Sequence, residues 1–169
     1  QTNASILPDG QQIEQLIPTQ RNSLRLHFQY KVHRSLTIRT RLEHSWYRQG
    51  NPDNLEQNDK GFIMYQDVSW KLGWRWDLTA RYAIFDAENF NTRIYAYEND
   101  ILGFFNIPAY YGVGSRYYLM LNYKPNKRFE FWARYSISKF QWDDIQGSGL
   151  SEVPGDHRSE IKLQMKVNL

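Results

Sequence analysis

One loop near the C-terminal end contains the side-chain types that serine hydrolases use. Ser148 and Ser151 supply hydroxyl groups, and Asp156 and His157 supply a carboxylate and an imidazole. A hydrolase needs these groups to converge in space, which spacing alone does not establish. None of the serines lies in a Gly-x-Ser-x-Gly elbow. The sequence therefore favours a protein without enzymatic activity. The alternative is an enzyme that uses these loop residues at the outer rim of a β-barrel.

The same loop is the main candidate for a metal site. Its acidic residues, whose oxygens Ca²⁺ accepts, are Asp143, Asp144, Glu152 and Asp156. They lack the spacing of an EF-hand loop and are typical of a solvated acidic loop. His27 and His33 lie six positions apart on one predicted strand, too far apart to share an ion. We expect no metal and no cofactor.

The best functional candidate is the stretch Arg93–Asp100, which carries two acidic residues among tyrosines. We expect Glu98 and Asp100 to pair with arginines such as Arg81 and Arg116. Such pairs would form either a ligand site or a buried ion-pair network that packs an interior. The structural network is the favoured interpretation, because networks of this kind also perturb ionisable groups without binding a ligand.

The closing segment, Arg158–Leu169, shows which elements carry these residues. Polar and apolar residues alternate along it, and side chains alternate across a β-strand, so it is predicted to be a two-faced strand. The same pattern recurs in seven earlier stretches, which are 22–33, 36–47, 61–72, 77–86, 92–99, 114–124 and 128–139. Helical periodicity is absent. The prediction is an all-β, antiparallel meander with eight clear strands.

The length of these stretches favours a membrane barrel. Most have ten to twelve residues, which fits the ~9–11 residues that cross a bilayer at a tilt better than the ~5–6 of an ordinary strand. An eight-stranded soluble barrel would be overfilled by so many large apolar side chains. Aromatic residues also gather near strand ends, as in interfacial girdles. A soluble β-barrel that binds an apolar ligand is the alternative.

In a membrane barrel the apolar face meets lipid and the polar face lines the lumen. The predicted lipid-facing residues are Leu119, Leu121, Phe129, Phe131, Ile161, Leu163, Met165, Val167 and Leu169. The predicted lumen charge network comprises Arg39, Arg41, Glu43, Asp67, Arg81, Glu98, Arg116, Glu130, Arg134 and Glu160. Both signs of charge occur on this face, so cross-strand ion pairs are expected.

The turns raise a question about the strand count. Short turns are predicted at 34–35, 73–76 and 125–127, and long loops at 48–60 and 141–157; in such barrels the two kinds lie at opposite ends. Either a further strand lies within 101–109, or one of the stretches 92–99 and 114–124 does not cross. A hidden strand would give nine. Single-chain bacterial barrels normally have an even count, so an odd count means either another strand within 1–21 or further strands upstream. We favour the second and expect residues 22–169 to be the C-terminal part of a larger barrel, preceded by an extension or outer loop at 1–21.

Composition limits the partners. The 169 residues include no cysteine, which excludes disulfides and thiolate metal sites, and aromatic residues make up 16%. No apolar run approaches the ~18 residues of a transmembrane helix. The net charge of +3 is spread along the strands, whereas a nucleic-acid footprint is clustered. We expect outer-membrane lipid and other outer-membrane or periplasmic proteins as partners, and no nucleic acid.

Five stretches resemble the C-terminal region of large Bacteroidota outer-membrane proteins with an N-terminal helix-hairpin-helix region similar to competence DNA-binding proteins. They are Phe62–Val68, Leu78–Asp86, Arg93–Asp100, Ile107–Tyr118 and Arg158–Gln164. The resemblance covers about residues 22–169, and the tyrosine-rich part of 93–118 is its most specific portion. It implies an outer-membrane location and a barrel architecture. It assigns no DNA-binding role to this chain, and the expected function is a non-enzymatic anchor, scaffold or pore.

Overall fold

A single antiparallel sheet of seven long strands dominates the chain. The computed structural model describes residues 2–6, 12–16, 18–50, 57–141, 145–146 and 153–168. The long strands are β1 (Thr19–His33), β2 (Leu36–Gln49), β3 (Gln57–Leu72), β4 (Trp76–Ala87), β5 (Gly112–Tyr123), β6 (Phe129–Phe140) and β7 (His157–Val167). They pair in chain order from β1 to β7. The predicted all-β antiparallel meander is therefore confirmed.

The remaining elements are short. They are the paired strands Thr2–Ile6 with Gln12–Leu16, Ile94–Tyr95 with Ala109–Tyr110, and Ile145–Gln146 with Val153–Pro154, and the 3₁₀ helix Phe90–Thr92. No helix in the described ranges is long and apolar enough to span a membrane.

The strand count differs from the prediction between β4 and β5. These two strands pair directly, with Trp76 opposite Tyr123. Of the two possibilities, the one in which the stretch 92–99 does not cross is therefore confirmed, and the hidden strand within 101–109 is wrong. Only Ile94–Tyr95 and Ala109–Tyr110 pair as a short ladder. The chain turns back between them, where Gly103 adopts a positive φ of 83°. Two β-prone clusters thus form a small hairpin instead of two long strands.

The loop predicted at 48–60 is also shorter than expected. β2 continues to Gln49 and β3 begins at Gln57, with Gln49 opposite Gln57 in the ladder. β1 begins at Thr19, inside the expected N-terminal extension. The turn-forming residues predict where the connection lies. Backbone pairing nevertheless extends both strands over the polar residues at the edges of that connection, so the strand ends differ from the prediction.

The two ends of the sheet differ. Residues 34–35, 73–75 and 124–128 connect strands at one end, and Gly73 has the positive φ of 70° that this tight turn uses. The longer connections 50–56, 88–111 and 141–156 lie at the other end. Successive connections of a meander alternate between the two ends of the sheet. The end with the short connections is called the short-turn end, and the other is called the long-connection end.

The edge strands β1 and β7 run in the same direction, because six reversals separate them. Each has one neighbour in the sheet. A direct β1–β7 pair would therefore be parallel, and antiparallel closure would require an odd number of further strands between them.

The sheet is inverted relative to that of an ordinary soluble protein. On the polar face, Asp67 is 4% exposed and Arg134 is 1% exposed. On the apolar face, Leu119 is 47% exposed and Leu163 is 76% exposed. Both faces are exposed all along the edge strand β1, and the other edge strand, β7, is exposed on both faces except at half-buried Lys162 and Gln164. Charged residues are normally the exposed ones and leucines the buried ones, so the faces predicted from the alternation are arranged as an inside-out sheet.

Residues 88–111, here called the covering segment, bury the polar face. The packed core lies between this segment and the sheet, and its members are Ile63, Tyr65, Ala83, Phe85, Ile94, Ala96 and Tyr110. Gly61 permits the closest approach, since a Cβ there would lie 2.7 Å from Ser45 Oγ and would also collide with the carbonyl of Thr92. The sheet and the covering segment thus share one core.

Candidate functional site

The covering segment is tied to strands across the whole sheet. Arg21 on β1 donates to the carbonyl of Arg93. Ser45 on β2 donates to the carbonyl of Thr92 at 3.0 Å. At the opposite edge, Gln164 on β7 donates to the carbonyl of Leu102 at 3.0 Å. One segment of the chain therefore bridges both edges of the sheet.

The 3₁₀ helix at the start of the covering segment is fixed by local hydrogen bonds. Asn89 caps it, with its Oδ1 accepting from the backbone N–H of Asn91 at 2.9 Å. Thr92 returns a side-chain contact to the Asn89 backbone, which completes a capping box. The guanidinium of Arg93 lies 3.9 Å from the centre of the Phe90 ring. The segment therefore enters the polar face in a defined orientation.

Glu98 is the centre of the site and is completely buried. Its carboxylate accepts two hydrogen bonds from Arg116, at 2.7 and 2.9 Å, and one from Arg134. The hydroxyl of Tyr110 donates at 2.7 Å and the amide of Asn106 at 2.8 Å. Such bonds to a buried charge are roughly twice as strong as neutral ones. Two arginines of the sheet thus clamp one carboxylate of the covering segment.

Neighbouring charges balance this clamp. Lys162 of β7 reaches Asp100 at 2.6 Å, and Arg134 reaches Glu160 at 3.4 Å. Three cations (Arg116, Arg134 and Lys162) therefore face three carboxylates (Glu98, Asp100 and Glu160). A neutral, hydrogen-bonded set is stable when buried, whereas the loss of one member leaves an uncompensated charge. The cluster is built to hold the covering segment in place.

Tyr110 belongs to the same cluster. Burial, together with the negative charge of Glu98, raises the pKa of its hydroxyl well above the usual range. The hydroxyl therefore stays protonated and acts as a hydrogen-bond donor to Glu98.

Two further ion-pair networks lie on the polar face of strands β1–β4. Arg81 donates to Asp67 at 2.5 and 2.8 Å, and its guanidinium lies 3.7 Å from the centre of the Tyr65 ring. Glu43 is held by Arg41 and by Arg25, whose Nε lies 2.7 Å away. Arg41 also donates to the carbonyl of Tyr95 at 3.2 Å. Cross-strand ion pairs thus continue along the polar face.

The structure brings together some of the residues predicted for the charge network. Glu98 meets Arg116 as expected, whereas Asp100 pairs with Lys162 and not with Arg81. Arg39, also predicted for this network, has a buried Nε without a hydrogen-bond partner among the described residues, as do Arg81 at Nη1 and Gln164 at Oε1. Glu130 lies apart at the short-turn end, 2.9 Å from Lys124.

Three of the residues that donate hydrogen bonds to Glu98 cannot be paired with it from the sequence. Arg134 lies 36 positions from Glu98, and no periodicity relates them. Asn106 lies in the stretch 101–109, which the sequence predicts as a possible hidden strand, and Tyr110 follows it directly; nothing in the sequence indicates that either donates to Glu98. The composition of the tyrosine-rich stretch was the only available signal.

The residues predicted to face lipid lie on the apolar face. Leu119, Phe131, Ile161, Leu163, Met165 and Val167 are exposed, Leu121 and Phe129 are half-buried, and Leu169 lies outside the described residues. A soluble barrel with an apolar interior would bury this face. The structure leaves it uncovered, so its contact with lipid stays a prediction.

The hydrolase and metal candidates do not form a site in the described part of the chain. His157 Nδ1 lies 2.9 Å from Asp156 Oδ1, an exposed contact that lowers the pKa of the aspartate. Ser148 and Ser151 lie outside the described residues, as do the acidic residues Asp143, Asp144 and Glu152. No three His, Asp or Glu side chains in the described ranges are placed to hold a metal ion.

Comparison with known proteins yields no family model, no curated protein and no solved structure that matches the chain. The function is therefore inferred from two structural features. These are the exposed apolar face of the sheet and the ion-pair network that binds the covering segment to the polar face.

Proposed function

We propose that this chain forms the wall of an outer-membrane β-barrel whose interior is filled by its own covering segment, and that it acts as a non-enzymatic anchor or scaffold. The observation that carries the proposal is the inversion of the sheet. Each of the seven long strands exposes at least one large apolar side chain on the apolar face, while the polar face of the central strands buries charged residues such as Arg41, Asp67 and Arg134.

The apolar face extends over all seven long strands, and this extent argues for lipid as its surroundings. Soluble monomers rarely expose contiguous apolar patches larger than a few hundred Å². Lipid removes the cost of exposing such a face, and a polar interior is then the expected counterpart. The strands are 11 to 16 residues long, enough to cross a bilayer at the usual tilt, for which ~9–11 residues suffice.

Aromatic residues at the strand ends support the same placement. At the short-turn end, Trp76 stacks on Tyr123 with ring centres 3.8 Å apart, and Trp74 is 68% exposed. Trp46 lies near the long-connection end and packs edge-on against His44. Amphipathic rings are favoured where a membrane meets water, so these positions suit the two interfaces.

The covering segment favours an anchor or scaffold over an open pore. A conducting barrel needs a polar, water-filled lumen. Here the polar face is occupied by residues 88–111, which are held by the buried Glu98 clamp. The resemblance to Bacteroidota outer-membrane proteins is also strongest in this segment and the adjoining part of β5.

The partners proposed on this basis are outer-membrane lipid and other outer-membrane or periplasmic proteins. Antiparallel completion of the sheet would require an odd number of further strands between β1 and β7. The barrel is therefore proposed to include strands in addition to the seven described.

Two tryptophans on opposite faces provide the test. Trp70 lies on the apolar face and is 42% exposed, whereas Trp132 lies on the polar face and is 8% exposed. Paired residues connect the row of Trp70 through Leu78 and Leu121 to Ala133, so the two tryptophans lie at nearly the same height.

Variants that retain only Trp70 or only Trp132 would be folded into vesicles whose acyl chains are brominated near the headgroups. We expect strong quenching of Trp70 fluorescence and little quenching of Trp132 fluorescence. Equal quenching of both, or a folded protein that remains in buffer without binding vesicles, would contradict the proposal.

A further inference from the structure

A cavity of about 450 Å³ opens between the covering segment and strands β4–β7, at the long-connection end of the sheet. This volume lies within the range of small-molecule sites, roughly 300–1,000 Å³. The charged cluster around Glu98 closes one side of the cavity through Arg116, and β7 forms another side through Arg158 and Glu160. The cavity is therefore adjacent to the fastening network but is not filled by it.

One wall of the cavity is aromatic. Phe85 lies edge-on to Phe140 with ring centres 5.8 Å apart, and edge-on to Tyr110 at 5.3 Å. Phe85 and Tyr110 are part of the buried core, so this wall is fixed in position. A flat aromatic or aliphatic body would gain burial against it.

The charge of the lining is not balanced. Arg116 is already bound by Glu98 and by the hydroxyl of Ser138, 2.8 Å from its Nη1. Glu160 has Arg134 and Lys162 within 3.4 and 3.6 Å. Arg158, opposite Ser138 in the ladder, is exposed and makes no ion pair with any residue that the structure describes. One positive charge at the mouth of the cavity is thus left for a ligand.

We infer that this cavity binds a small amphiphilic monoanion, a carboxylate joined to an aromatic or aliphatic body. The planar guanidinium of Arg158 matches a carboxylate, which it can bind through two parallel hydrogen bonds. The apolar body would lie against Phe85 and Phe140. The inference concerns the polar face alone and does not depend on whether the apolar face meets lipid.

The probe is 4-fluorobenzoate, observed by ¹⁹F NMR during titration of the folded protein in lipid nanodiscs or, if the protein folds without lipid, in buffer, with the same medium without protein as the blank. Its neutral counterpart is 4-fluorobenzyl alcohol. We expect saturable binding of the benzoate and weaker binding of the alcohol. Arg158→Gln should weaken benzoate binding roughly tenfold to a hundredfold, because a hydrogen bond to a charged group contributes ~1.5–3 kcal/mol.

The matched control is Arg128→Gln, which removes an exposed arginine from the turn at the opposite end of the sheet. It should bind benzoate like the unmodified protein, and Phe140→Ala should bind it more weakly. The inference is overturned if benzoate binding is not saturable, if Arg158→Gln and Arg128→Gln bind equally well, or if the alcohol binds as tightly as the benzoate. The tryptophan quenching experiment reports on lipid separately, so failure of one proposal is distinguishable from failure of the other.

Discussion

Substituting Glu98 by glutamine should release the covering segment while leaving the sheet folded. Glutamine keeps the shape of the side chain but removes the charge that Arg116 and Arg134 share. Besides the neutral amide oxygen of the glutamine, Arg116 would retain the hydroxyl of Ser138, at 2.8 Å. Arg134 would retain the carbonyl of Asn99 at 3.1 Å and the half-exposed Glu160 at 3.4 Å.

The contacts that remain set the magnitude. Removing one partner of a buried ion pair typically costs about 3–5 kcal/mol. Since both arginines keep an acceptor, the lower limit applies, and the docking free energy of the covering segment should fall by about 3 kcal/mol. Each 1.4 kcal/mol is a factor of ten, so the population of the undocked segment should rise roughly a hundredfold.

Trypsin cleavage after Arg93 measures this population, because Arg93 lies in the covering segment and is tied to Arg21 and Phe90. When opening is fast relative to cleavage, the cleavage rate follows the open population. Cleavage after Arg134, within the β6 ladder, reports unfolding of the whole sheet and should stay slow.

The control is Glu130→Gln, which breaks an ion pair with a half-exposed Lys124 and should cost less than about 1 kcal/mol. If Glu98→Gln were cleaved after Arg93 no faster than Glu130→Gln, the clamp would not hold the segment. If cleavage after Arg93 and Arg134 rose together, the segment and the sheet would unfold as one unit.

Three further substitutions or measurements follow from the same contacts. Gly61→Ala should lower the free energy of unfolding in urea by about 1–3 kcal/mol, because its Cβ collides with Ser45 and Thr92, and an unchanged free energy of unfolding would contradict the close packing. Asp67→Asn should cost about 3–5 kcal/mol, since it leaves Arg81 buried without its carboxylate, and a neutral effect in the same urea experiment would refute it. In planar lipid bilayers the unmodified protein should give no steady conductance steps, whereas steady steps would favour a pore.

The sequence was sufficient to predict the faces of the long strands. The alternation has a period of two, so a residue such as Leu119 or Arg134 is assigned to a face by its position alone. That assignment holds in the structure, where Leu119 is exposed and Arg134 is buried. The approximate bounds of the long strands were predictable for the same reason.

The covering segment was not predictable in this way. Its contacts join residues far apart in the chain, such as Glu98 with Arg134 and Lys162 with Asp100. Its apolar residues near Ile94 and Tyr110 have the β propensity of strands, and they do pair, but only over two residues each. The alternation of residues along each strand identifies the charged residues on the polar face. Which of these residues form ion pairs with each other depends on tertiary packing, which the local sequence does not encode.

The free energy of unfolding of Leu119→Arg in lipid vesicles tests the central claim most directly. Leu119 lies on the apolar face within β5 and is 47% exposed. If this face meets lipid, arginine should cost about 2–4 kcal/mol near the midplane, and Leu72→Arg at the short-turn end of the same face should cost only about 0–1 kcal/mol. Water around the face would instead make both substitutions nearly neutral, and that result would contradict the account.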